Sequence, residues 1–94
     1  MSMEYRQLGT TDLTVSEIGF GGWAMGKLFW GDDVQDSETT AAIHRALDLG
    51  LTLFDTAPVY GDGHSECVLG AALGAHRAEV VVATKCGRVR NAEG

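Results

Sequence analysis

The chain has 94 residues, 45% of them hydrophobic and 21% charged, with a formal net charge of −6; this is the composition of one small globular domain at most, not of a disordered segment. Seven basic residues against thirteen acidic ones provide no basic stripe for nucleic acid or an anionic membrane. Apolar runs of about five residues fall far short of the roughly 20 that span a bilayer, so neither nucleic acid nor membrane is an expected partner.

In chain order, Tyr5–Leu8, Gly9–Asp12 and Leu13–Val15 read as strand, turn and strand, a small hairpin ahead of the main pattern. Ile18–Gly21 is a short apolar strand that breaks into a glycine cluster, and residues 25–36 form an irregular loop carrying Phe29 and Trp30. Asp36 or Ser37 is placed to cap a helix whose stripe is Ala42, Ile43, Ala46 and Leu47, with Gly50 as its stop. Leu51–Phe54 follows as a buried strand. A second helix is expected over about Ser65–Leu73, with the stripe Val68, Leu69, Ala72 and Leu73 and an end at Gly74. Val80–Ala83 is the cleanest strand, and it closes on Thr84–Gly87 before a polar tail.

The order β-α-β-α-β with short returns predicts a parallel sheet with crossover helices. Both a doubly wound open sheet and the first part of an eight-stranded barrel open in this way. Gly19-Phe20-Gly21-Gly22-Trp23-Ala24 fits the dinucleotide fingerprint G-x-G-x-x-G/A. That mechanism needs a helix to start there and offer its amides to a pyrophosphate. The continuation Met25–Gly31 has no helical stripe, and the next acid at a strand end, Asp55, comes some 30 residues on rather than about 20. The match is accidental.

Asp55 and Lys85 fall at the C-terminal ends of consecutive strands, and Tyr60 lies in the loop leaving the same edge. Ligands and catalytic groups gather at that edge in parallel α/β folds. An ammonium about 4 Å from a phenol would favour the phenolate by up to roughly 4 kcal/mol at an effective dielectric of 20. In that arrangement Asp55 holds Lys85, and Lys85 tunes Tyr60 as a general acid. The same residues also fit a plainer reading: Asp55 capping a turn, Lys85 in a surface ion pair worth under about 1 kcal/mol, and Tyr60 as a loop aromatic. Spacing alone leaves both open.

Three segments carry a resemblance that covers essentially the whole chain: EYRQLGTTDLTVSEIGFGGWAMG, FDTAPVYGDGHSECVLGAAL and VVVATKCG. They are similar to the aldo-keto reductase superfamily, particularly its bacterial members. The resemblance implies that residues 1–94 are the N-terminal part of a (β/α)8 barrel, a hairpin with three strands and two helices. It implies reduction of aldehydes or ketones with NADPH, in which Tyr60 protonates the carbonyl oxygen while Lys85 and Asp55 set its acidity. Gly22, Trp23 and Asp55 would face the cofactor. The family's histidine and its 2′-phosphate site would lie beyond the third strand, and none of His44, His64 and His76 matches that histidine; all three are expected to be solvent-facing or structural. Arg88 and Arg90 are read as a solvated loop, and Cys86 as strand packing rather than a nucleophile.

Three strands cannot close an eight-stranded barrel, and the third would present an open parallel edge. The remainder of the barrel, or a self-association partner, is expected to cover it, and the 94 residues alone are expected to be inactive. A non-catalytic half-barrel that pairs with another chain is the alternative. The opening MSMEYRQLG lacks a basic segment followed by an apolar core, and two cysteines make neither a disulfide framework nor a metal cluster; a cytoplasmic location with reduced thiols is expected.

Overall fold

A computed structural model describes residues 2–22 and 36–87. Expectations for Trp23, the loop with Phe29 and Trp30, Arg88 and Arg90 fall outside the described residues. The elements are β1 (Tyr5–Gln7), β2 (Thr14–Ser16), β3 (Gly19–Gly21), α1 (Asp36–Asp48), β4 (Leu53–Asp55), α2 (His64–Leu73), a 3₁₀ helix (Gly74–Glu79) and β5 (Val81–Ala83).

β1 and β2 pair antiparallel, and β3, β4 and β5 form a parallel sheet in that order. Phe20, Phe54 and Val82 stand in one row across the three strands. The rings of Phe20 and Phe54 lie 5.6 Å apart, centroid to centroid. This row packs against Ile43 and Ala46 of α1 and Leu69, Ala72 and Leu73 of α2. Phe54, Ile43, Leu69 and Leu73 are fully buried, and each contributes about 1.5–3 kcal/mol of apolar burial. Strand alternation then sends Leu53 and Asp55 to the face opposite the helices.

The stripe of α1 differs from its expectation by one residue. Thr39, Ile43 and Ala46 are the buried positions, a spacing of four and three, while Ala42 faces solvent. Gly50 ends the helix with φ +92. Its amide donates to Leu47 O (3.0 Å), and the amide of Leu51 donates to Ala46 O (3.0 Å). Those two bonds are the Schellman pattern, with a left-handed glycine in the position where a Cβ would be strained.

Leu51 and Thr52, expected within the strand, have other uses. Leu51 closes the helix end and packs against the core. Thr52 bonds reciprocally to the hairpin: its amide donates to Ser16 Oγ, and its hydroxyl accepts from the Ser16 amide, both at 2.9 Å. The hairpin is fastened a second time where Tyr5 Oη donates to Gly50 O (2.8 Å). An ion pair between Arg6 and Glu17 lies on its exposed side.

Candidate functional site

The parallel ladder continues one step past each strand, and those steps build the site. The Gly22 amide donates to Asp55 O, and the Thr56 amide donates to Ala83 O, both at 2.8 Å. The ends of β3, β4 and β5 are thereby held level, with Asp55 between Gly21 and Ala83.

From Thr56 the chain turns through buried Ala57 into a compact loop. The Tyr60 amide donates to Ala57 O (3.1 Å), and the Ser65 amide donates back to Tyr60 O (3.2 Å). Gly61, Asp62 and Gly63 all adopt positive φ, so the loop reverses within three residues. Gly63 caps α2 in the left-handed region without a side-chain cap. The helix starts at His64, within a residue of the expected start, its first backbone bond running from the Cys67 amide to Gly63 O (3.0 Å). The Ser65 hydroxyl donates to Gly22 O (2.9 Å) and pairs with Thr56 Oγ1 (2.7 Å).

Lys85 joins the three predicted catalytic residues. Its Nζ donates to Asp55 Oδ1 (3.1 Å) and to Thr56 O (2.8 Å), and it lies 5.1 Å from the centroid of the Tyr60 ring. The hydrogen bond to Asp55 raises the Lys85 pKa above its ordinary 10.5, against a smaller opposing effect of burial; Tyr60 adds to the rise. The side chains of Lys85 and Asp55 are 49% and 48% exposed. Solvent screening therefore holds the pair near the surface limit of about 0.2–1 kcal/mol.

The arrangement gives a cation fixed from two sides beside a phenol, at the end of a parallel sheet. Gly22 is buried next to it. The three histidines are occupied elsewhere: His44 bonds to Ala72 O, His64 to Asp36 and His76 to Glu79, each at 2.9 Å. Cys86, expected as strand packing, is exposed, because β5 ends at Ala83 and the chain leaves the sheet before reaching it. Among the described residues no group of histidine, cysteine and acidic side chains has the arrangement of a metal site, and no helix is long and apolar enough to cross a membrane.

Two concavities lie away from this edge. One of about 410 Å³ is lined by residues such as Tyr5, Gly50 and Thr52, and one of about 570 Å³ by residues such as Met3, Ile18 and Leu49. Neither includes Asp55, Tyr60 or Lys85.

The sequence profile of the Aldo/keto reductase family matches residues 17–94. The chain belongs to this family. Among its relatives, the NADH-specific methylglyoxal reductase of Escherichia coli is 44% identical over 89 residues, covering 93% of this chain and 27% of that protein. Among solved structures, the holo form of aldo-keto reductase AKR11C1 from Bacillus halodurans superimposes with a TM-score of 0.82 at 36% identity, over 95% of this chain and 28% of that one. An aldo-keto reductase of Klebsiella pneumoniae in complex with NADPH gives a TM-score of 0.73 at 35% identity, over 92% and 28%. The chain spans about a quarter of the length of the curated relatives it matches. Within the aldo-keto reductase fold its described elements are the hairpin, the first three barrel strands and the first two helices.

Proposed function

We propose that this segment supplies the acid end of a carbonyl-reducing site, Tyr60 with Lys85 and Asp55, to a complete (β/α)8 barrel that uses a nicotinamide cofactor. The observation that carries the reading is the position of Lys85, bonded to Asp55 and to Thr56 O and standing over the Tyr60 ring. The cation stands where negative charge left on the phenol oxygen by proton donation would be stabilised.

In this reading the Tyr60 hydroxyl donates its proton to the oxygen of an aldehyde or ketone as the carbonyl carbon is reduced. Lys85 stabilises the phenolate left behind, and Asp55 orients Lys85. The nicotinamide, when bound, supplies the hydride. Gly22 fits a place against it, because its backbone is level with Asp55 at the strand ends. Trp23 and Asp55 are proposed to complete that contact. NADPH is the proposed cofactor, supported by the Klebsiella complex; the NADH-specific E. coli relative makes the choice between the two a direct experiment.

The 94 residues act as an incomplete domain. Ile18 and Leu49 are more than half exposed, as expected of apolar surface that other barrel elements cover. A half-barrel assembled with a second chain would also cover it, but the grouping of Asp55, Tyr60 and Lys85 at one strand edge favours the reductase. The test is consumption of NADPH, against NADH, by the complete barrel with a panel of aldehydes and ketones. Turnover by the complete protein and none by residues 1–94 supports the reading. Turnover by neither sinks the catalytic proposal.

A further inference from the structure

Two hydroxyls lie in the interior directly beneath the proposed site. Thr56 is 1% exposed and Ser65 fully buried, in a region whose other buried side chains are mainly apolar. Burying a hydroxyl costs free energy unless it is hydrogen-bonded, and an alanine or valine would fill the same space at lower cost. Both hydroxyls are satisfied, by each other and by the Gly22 backbone.

The direction of these bonds follows from proton count. A carbonyl oxygen only accepts, so Ser65 donates its single proton to Gly22 O. Ser65 Oγ must then accept from Thr56 Oγ1, 2.7 Å away. The Gly22 backbone is therefore held on both sides, its amide by Asp55 O on β4 and its carbonyl by Ser65 on α2. Thr56 is held as firmly: its amide reaches β5, its carbonyl accepts from Lys85, and its hydroxyl leads to Ser65.

We propose that Ser65 is a positioning residue, whose hydroxyl sets the Gly22 backbone in register with the Thr56–Lys85 arm so that cofactor-facing backbone and proton donor share one frame. The proposal rests on the functional reading above. It says why a serine 43 residues from Gly22 in sequence sits in the second helix with its hydroxyl aimed at the site and not at its own helix end.

The experiment uses the complete barrel as wild type and as Ser65→Ala, Thr56→Val and Thr56→Ser. NADPH dissociation constants, kcat/KM for a reduced carbonyl and melting temperatures are measured for each. Ser65→Ala is expected to raise the NADPH Kd and lower kcat/KM by about tenfold each, as loss of one buried hydrogen bond implies. Thr56→Val, which keeps the volume and loses the donor, gives a smaller change in the same direction. Thr56→Ser, which keeps the donor and loses a methyl group, recovers towards wild type. A role in packing alone reverses the order of the two Thr56 variants, and that order overturns the proposal. So does a Ser65→Ala protein that melts lower yet keeps Kd and kcat/KM within twofold. If Ser65→Ala does not fold, the Thr56 pair decides. Wild-type protein that neither binds NADPH nor reduces a carbonyl overturns the functional reading, and this inference with it.

Discussion

Replacing Gly50 by alanine tests the joint between the hairpin and the sheet. Gly50 has φ +92, and a Cβ built there would stand 2.8 Å from Tyr5 Oη and 3.4 Å from Met3 Cβ. The left-handed conformation costs an L-residue about 1–2 kcal/mol. Tyr5 is 47% exposed, so its ring can swing away, but doing so breaks the bond from its hydroxyl to Gly50 O. That loss adds about 0.5–1.5 kcal/mol, for a total of about 1.5–3.5 kcal/mol. Urea unfolding of the complete protein measures it, with Tyr5→Phe as the second arm of a double-mutant cycle. Tyr5→Phe is expected to cost about 1 kcal/mol in the wild type and almost nothing after Gly50→Ala, because the hydrogen bond is already gone. A Gly50→Ala protein within about 0.5 kcal/mol of wild type, the size of an ordinary surface substitution, refutes the reasoning. An equal cost of Tyr5→Phe in both backgrounds refutes the shared contact.

Other consequences follow from the core and the ion pair. Phe54→Ala empties a fully buried position on the central strand and is expected to cost about 3–5 kcal/mol by urea unfolding; a loss below about 1 kcal/mol, in the surface range, would contradict the packing described. Lys85 has a pKa above its ordinary 10.5 because Asp55 holds the charged form, so its small contribution to stability is fully present below the unfolded lysine value. It is lost as pH rises through the raised folded value. Asp55→Asn should lower the Lys85 pKa, read from the NMR titration of its side-chain carbons, and an unmoved titration would show that Asp55 is not the cause.

Much of this architecture was legible in the chain because hydrophobic periodicity survives in it. Val81 and Val82 announced a strand, and the Leu69, Ala72 and Leu73 spacing announced the helix that covers it. Asp55, Tyr60 and Lys85 were legible as neighbours because parallel topology puts successive strand ends on one edge; the choice between a relay and a plain ion pair beside a loop aromatic was not legible from spacing. Other features depend on partners distant in sequence and leave no local mark. Thr39 and not Ala42 is buried on α1, the helix that packs against α2. The 3₁₀ helix at Gly74–Glu79 is short, with no buried residue and no stripe to read. The bond from Ser65 to Gly22 spans 43 residues; its only trace in the sequence is a pair of small hydroxyl residues flanking the Tyr60 loop.

The proposed role of Tyr60 as proton donor in a carbonyl reduction is tested most directly by kcat for Tyr60→Phe in the complete barrel, measured alongside the NADPH dissociation constant. Removing a general acid alone is expected to lower kcat by about 10²–10⁴-fold while NADPH binding stays within a few-fold of wild type. A Tyr60→Phe enzyme that turns over at the wild-type rate would contradict the account and leave Lys85 and Asp55 as an ordinary ion pair at the end of a sheet.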